Sequence, residues 1–474
     1  MTSCLPRRTI GSALTAFILA GCSSRSPFAN DVPELQHLEA RSAPSPPPAG
    51  DPDPPQGDLA LPALDEDSVL DDYLRYAALK NPGLEAAFQQ WKAAVERLPQ
   101  VRALPDPRFT YGYYIAEVET RVGPMQHAIA LSQTFPWLGK LQDREDAAAR
   151  AANVQYQRFE AAKLDLFYRV EDAYNDLFLL KRSIDIAGEN IELLGQFEGV
   201  ARARYRVGAA GHPDVIRVQV ELAKLEDRLR QLGDLRAPRT ARLNAALNRR
   251  PDAAVAWPSA VSGRVTDKSI DDLVAILREN NPHLEALDEE TERERINADI
   301  ARKDGLPDLT VGLAYTVIGE RNGVSIAGNG DDAFLASLSV NVPLWREKYD
   351  AGVREAIARR LAVVNQRVEM TNRLTADLQQ AIFEHNDARR RVELYRDTLI
   401  PKATESLQAS LAGFQQGTAD FLDLVDTERT LLEFQLGLER ALVDRATSCA
   451  QIERLVGATV GSVPNEPQLK ETHR

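Results

Sequence analysis

The one short run of residues that specifies a covalent reaction is Leu19-Ala20-Gly21-Cys22, followed by Ser23 and Ser24. It closes an apolar stretch from Ile10 to Ala20, which itself follows Arg7 and Arg8. A basic start, a short apolar centre and small residues at a cut make a secretory signal, here residues 1–21. The stretch is too short for a transmembrane helix, which needs about 20 apolar residues, so its removal is expected. A cysteine directly after such a cut is the substrate of lipid transfer, and Cys22 is expected to become an N-terminus bearing acyl chains, palmitate among them. Serine rather than aspartate after that cysteine directs a lipoprotein to the outer membrane. Two or more chains anchor stably, at about 0.8 kcal/mol per buried methylene.

Elsewhere the residue types needed for catalysis are not assembled. The sequence has no glycine-rich phosphate loop, serine nucleophile elbow or His-Glu-x-x-His motif. Its six histidines, at positions 37, 127, 212, 283, 385 and 473, are scattered. Three methionines, one of them the initiator, cannot build a thioether ladder for copper. The expectation is therefore no enzyme, no cofactor and no resident metal. With 57 basic residues against 70 acidic ones, the net charge of -13 gives no footprint for nucleic acid. An acidic surface or lumen suits cationic or neutral solutes instead. The cysteines are Cys4, Cys22 and Cys449; cleavage removes the first and acylation uses the second, so Cys449 is expected to be a buried packing residue.

The elements that carry these groups begin with a tether, residues 22–61, rich in proline at Ser45-Pro46-Pro47-Pro48 and Asp51-Pro52-Asp53-Pro54-Pro55. The chain then repeats itself, with one unit over 62–258, a second over 259–460 and a tail at 461–474. Asn81-Pro82-x-Leu84-Glu85-Ala86 recurs 200 positions later at Asn281-Pro282-x-Leu284-Glu285-Ala286. Leu104-Pro105-Asp106 recurs 202 positions later at Leu306-Pro307-Asp308, and Pro136 recurs 207 later at Pro343. Tyr205-x-x-Gly208 with Asp214 recurs 209 later as Phe414-x-x-Gly417 with Asp423.

Each unit reads alike. A helix of about 25 residues starts near Asp71 or Asp271, whose charges complement the helix dipole. Two strands follow, with Phe109, Tyr111, Tyr113 and Ile115 alternating in one unit and Leu309, Val311, Leu313, Tyr315 and Val317 in the other. Gly319 to Asp332 joins the second pair as a surface loop. Long apolar-periodic helices come next, Gly139 to Tyr205 and Tyr349 to Leu399, with Gly208–Pro213 and Gly417–Thr418 breaking them before antiparallel returns.

With these features in place, the sequence resembles the TolC family of outer-membrane factors, within it the lipidated OprM- and CusC-type branch. The resemblance covers essentially everything after the tether. It rests most specifically on Ser132-Gln133-Thr134-Phe135-Pro136-Trp137-Leu138-Gly139-Lys140, similar to the family's strand-to-helix junction, and on Tyr205-Arg206-Val207-Gly208 with Asp214-Val215, similar to a periplasmic helix tip. The second junction, Asn341-Val342-Pro343-Leu344-Trp345-Arg346, keeps the proline and tryptophan and lacks the glycine-lysine pair.

The resemblance implies an α+β membrane protein: a homotrimer whose four strands per protomer close a twelve-stranded β-barrel, continued by an α-helical coiled-coil tunnel. It implies an outer-membrane duct for export, partnered by a periplasmic adaptor, or membrane fusion protein, and an inner-membrane pump of RND type. It also implies a periplasmic gate of Asp423, Asp426 and Asp214, and adaptor-facing tips at Arg206, Val207, Gly208, Gly417 and Thr418. Ala419 stands where the family's tip arginine would be. The junction residues are Pro136, Trp137, Gly139 and Pro343. The rival reading is a lipid-anchored periplasmic coiled-coil scaffold; a lipid-anchored enzyme has no candidate catalytic group.

Overall fold

A computed structural model of the chain describes residues 64–208, 211–323 and 325–461. The signal, the tether with Cys22 and the tail beyond Gly461 lie outside the described residues.

The single helix expected from Asp71 is two, α1 (Leu70–Lys80) and α2 (Pro82–Val95), and that from Asp271 is likewise α7 (Ile270–Asn280) and α8 (Pro282–Asp304). The repeated Asn-Pro pair is the break. A residue before proline is pushed out of the α region, and Asn81 and Asn281 are extended, with ψ of 120° and 118°. Each side chain then caps the new helix, Asn81 accepting from the Gly83 and Leu84 amides at 2.9 and 3.1 Å. Each also donates to a carbonyl at the far end of its own repeat, Asn81 to Ala246 at 2.8 Å and Asn281 to Leu455 at 2.7 Å.

After the short α3 (Arg97–Arg102) come β1 (Arg108–Thr120) and β2 (Gly123–Phe135); α8 leads into β3 (Leu309–Ile318) and β4 (Ala333–Val340). They form one antiparallel sheet in the order β1-β2-β3-β4. Register sorts its faces. The cross-strand rows Phe109, Leu131, Leu313, Ala336 and Tyr111, Ile129, Tyr315, Phe334 lie on one side. On the other the residues are mainly small or polar, with Arg108, Ser132, Gly312 and Ser337 in one row and Gly112, Ala128, Thr316 and Ala333 in another, while the row between them ends on Leu335, a large apolar residue. The hairpins are also copies in register. Displaced by 202 and 207 positions, Phe109↔Leu131 becomes Val311↔Leu338, and Tyr113↔His127 becomes Tyr315↔Phe334, both observed pairs.

From β2 the chain enters α4 (Lys140–Arg206), 67 residues and so about 100 Å long at 1.5 Å per residue. It returns as α5 (His212–Asp234) and α6 (Arg236–Ala246), the split falling just before Pro238. In the second repeat it is the outgoing leg that is interrupted. Helix α9 (Arg346–Leu394) passes through a π turn (Tyr395–Leu399) into α10 (Ile400–Gln416), because Pro401 supplies no amide for a regular turn. The widened turn sets Tyr395 directly on the backbone of the returning α11 (Phe421–Val456), where a Cβ at Gly437 would lie 2.8 Å from the ring. No helix among the described residues is long and apolar enough to cross a membrane.

The lower ends of α4, α5, α10 and α11 bury one cluster that includes Phe197, Val218, Leu407, Phe414, Phe421 and Leu424. Cys449 is 1% exposed, and burial pushes its thiol up to about 12. Higher up, a partly buried ion triad joins the repeats. Arg264, near the start of the second repeat, reaches buried Glu171 of α4 at 2.6 Å and half-buried Glu453 of α11 at 2.7 Å. Glu453 also accepts from the Val460 and Gly461 amides. Burial raises the pKa of Glu171, with Arg264 opposing. Removing the guanidinium would leave buried Glu171 and half-buried Glu453 without their shared cation. Arg264→Ala is expected to cost roughly 1.5–3 kcal/mol, the range of hydrogen bonds to charged groups, read as a lowered urea midpoint of the helical region by circular dichroism; an unchanged midpoint would show the triad to be dispensable.

Candidate functional site

Two regions collect the residues singled out in the sequence: the junction between sheet and helices, and the tips of the helical hairpins.

At the junction, Pro136 ends the β2 ladder and Gly139 turns the chain at φ +82°, a left-handed conformation that glycine adopts without strain. A Cβ there would also come within 2.8 Å of the Lys303 ammonium. Lys140, only 3% exposed, donates to Asp308 at 2.9 Å and to the Leu306 carbonyl at 3.2 Å. The Trp137 amide donates to the same Asp308 oxygen at 2.8 Å. Burial would raise the Asp308 carboxyl, but these two donors hold it below the usual range. Lys303 and Asp143 add a second ion pair at 2.6 Å. The junction of the first repeat is thus clasped by the Leu-Pro-Asp corner of the second. Past Pro343, Leu344 and Trp345 are 71% and 75% exposed, apolar groups of the kind that sit at a membrane boundary.

At the tips, α4 runs out through Arg206, Val207 and Gly208, all exposed, with Gly208 at φ +72°. The second tip closes on Gly417 at φ +81°, where the Thr418 and Ala419 amides both donate to the Gly413 carbonyl. Arg204 spans the two tips, its guanidinium 4.6 Å from the Phe414 ring centre.

The acidic residues divide. Asp214 accepts from the Gly211 amide at 3.2 Å and lies 3.7 Å from Arg217, at the start of α5. Asp423 and Asp426 stand together on α11, exposed, along a groove of about 420 Å³ that Lys402 and Ser406 of α10 also line. Asp420 holds the N-cap position of α11, but its carboxylate makes no capping bond. Arg429 lies 3.5 Å from Asp426 and reaches across to Glu221 of α5 at 2.5 Å, tying one hairpin to the other.

Sequence reasoning passed over Arg204, Glu221, Glu428 and Arg429. Glu428 had a visible signal, because it occupies an apolar slot between Leu424, Val425 and Leu431 on the buried stripe of α11. It is 1% exposed, and its Oε1 has no hydrogen-bond partner. Burial raises its pKa to about 7, against the pull of Arg429 and with a further push from Glu221.

An amphipathic four-stranded sheet carried on helical hairpins far longer than a globular core requires defines a channel of the outer-membrane export class. Comparison with known proteins agrees. The family model for outer membrane efflux proteins matches residues 74–249 and 273–458. The cobalt-zinc-cadmium resistance protein CzcC of Cupriavidus metallidurans is 22% identical over 398 residues, covering 82% of this chain and 90% of that protein. The outer membrane protein TolC of Vibrio cholerae is 22% identical over 401 residues, with the same shares covered. Among solved structures, CusC aligns with a TM-score of 0.71 at 15% identity, covering 88% of this chain and 99% of that one. The chain belongs to the outer membrane efflux protein family. It is an outer-membrane component of an efflux system, extending into the periplasm.

The buried carboxyl at the tip makes stability depend on pH in a definite direction. Glu428 keeps its proton to about pH 7 when folded and loses it near 4.5 when unfolded, so stability falls as pH rises through that window and levels off above it. Glu428→Gln is expected to abolish this decline. The check is the melting midpoint of the helical region at several pH values; a variant that keeps the wild-type slope would place the titration elsewhere.

Proposed function

We propose that the protein is the passive duct of a tripartite export system. It works as a homotrimer anchored by lipid at Cys22, its tips meeting a periplasmic adaptor that connects to an inner-membrane pump of RND type. The observation that carries this reading is the sheet: largely apolar across one face, mainly small and polar across the other, with β1 and β4 each open on one edge. Hydrocarbon leaves no water for unpaired strand edges, so the sheet is stable in a membrane only when closed. Three copies give a twelve-stranded barrel, wide enough for a lumen lined by the small residues.

Cargo passes through without chemistry. Asp423 and Asp426, repeated around the axis near the closed end, focus negative potential and favour cations, with Asp214 adding charge at the start of α5. Exposed Arg206, Val207 and Gly208, with Gly417 and Thr418, form the adaptor-facing tips.

The deciding experiment is image averaging of the detergent-extracted protein, expected to give hollow particles with three-fold symmetry and a barrel at one end. A solid rod that stays soluble without detergent would leave the scaffold reading. In planar bilayers, Asp423→Ala combined with Asp426→Ala is expected to raise resting conductance and weaken cation preference. Unchanged values would reduce both residues to favouring the helix dipole. Charge reversal at Arg206, or a bulky residue at Gly208, should abolish export in cells while trimers persist; normal export would remove the tip assignment.

A further inference from the structure

The apolar seam near the tips holds a carboxyl whose neighbours cannot satisfy it once it is charged. Glu428 stands on the buried stripe of α11 with Leu424, Val425, Leu431 and Leu432, in the cluster that α4, α5, α10 and α11 share. It is 1% exposed, and its Oε1 has no hydrogen-bond partner. The cation next to it in the chain is already engaged, Arg429 reaching Glu221 of α5 at 2.5 Å and Asp426 at 3.5 Å.

The internal duplication shows what a settled residue looks like at this position. Moved back by 209 positions, Leu424, Glu428 and Leu431 fall on Val215, Gln219 and Leu222 of α5. Gln219 is neutral, and its amide donates to Glu198 of α4 at 2.8 Å. The first hairpin therefore has a paired amide where the second has an ionisable group in an apolar slot. The other charges at this level are matched or wet. Glu198 also pairs with Arg202 at 2.7 Å on α4, Lys224 with Glu221 at 3.0 Å on α5, and Lys402 with Glu405 at 2.8 Å on α10. Asp423 and Asp426 of α11 are exposed. Among the described residues, Arg429 and Glu221 are the charges that act on the Glu428 carboxyl, the first favouring its ionisation and the second opposing it.

We propose that Glu428 is a proton-operated latch: protonated, it stays packed and holds the second hairpin against the first; ionised, it draws water into the seam and lets the hairpins part. The latch rests on the duct reading and adds to it a group that loosens the closed end. A neutral carboxyl can remain in an apolar cluster, whereas a carboxylate there needs a cation or water. With Arg429 held by Glu221, water is the available partner, and admitting it requires the helices to separate. The direction follows from burial, which holds the proton to about pH 7 in the packed seam, while a hydrated carboxyl loses it near 4.5. Rising pH through that window favours the parted seam, and the effect levels off above it.

Hydrogen exchange of the full-length protein in detergent, corrected for the intrinsic rate at each pH, reads the seam directly. Protection of residues 421–434 is expected to fall at least roughly tenfold between about pH 5.5 and about pH 8, with a matching rise of conductance in planar bilayers. Glu428→Gln, which copies Gln219, and Glu428→Leu should both keep the low-pH protection and conductance throughout. Asp423→Ala with Asp426→Ala should retain the pH response of protection, since those carboxyls lie outside the seam. Wild-type protection that ignores pH, or a Glu428→Gln variant that follows wild type, would overturn the latch and leave the duct reading standing. A conducting channel whose current does not follow the loosening of the seam would overturn the latch as a gate. A seam that responds to pH in a protein that passes no current at any pH would support the latch and overturn the duct reading beneath it.

Discussion

A strand in hydrocarbon has no water to satisfy its amide and carbonyl groups, and this protein's sheet has two open edges. Most of the architecture answers that constraint. Four strands are too few to close alone, so copies must share a barrel, and a shared barrel needs hairpins held at a fixed angle to the helices beneath. The Lys140–Asp308 clasp does this where the chain leaves lipid. It ties the end of one hairpin to the beginning of the other through a buried ammonium, one carboxylate and the Trp137 amide. Gly139 is required there because the turn is left-handed and Lys303 fills the space a side chain would need.

The helical part obeys a different rule. Water surrounds it, so its backbone is satisfied within each helix, and packing of apolar stripes decides which faces meet. Near the tips, α4, α5, α10 and α11 share one buried cluster, yet a carboxyl sits among its apolar neighbours at Glu428. Such a group weakens the cluster when ionised. Beside it, the Arg429–Glu221 pair crosses between hairpins, so cohesion near the tips combines an apolar seam with charges that respond to proton concentration and to salt.

The repeat, the strand faces, the loop from Gly319 to Asp332 and the long helices were legible in the sequence, because each is written as periodicity over many residues. Local breaks were less so. Asn81-Pro82 and Asn281-Pro282 were noticed as a recurring motif and not as helix breaks, although proline restricts its predecessor in any context. The π turn follows from Pro401, which stands in the sequence, whereas the seat it gives Tyr395 against Gly437 lies across the hairpin and could not be read there. At the site, Asp423 and Asp426 were visible through the family's pattern. Arg204 was hidden because its partner, Phe414, belongs to the other repeat. Arg206, the basic residue of the family's pattern, lies exposed at the tip.

The matched register of the two hairpins bears on how such a barrel can be assembled at all. A chain carrying one hairpin would need every seam to form by collision between separate molecules, each costing translational freedom. Joining two hairpins in one chain makes half of the seams unimolecular. They close during folding, independent of concentration, and the number of bodies that must find one another in the membrane is halved. Duplication also frees the halves to differ. Once β2 and β3 are covalently connected, their seam no longer has to recognise a stranger, and specificity for like chains can be concentrated in β1 and β4.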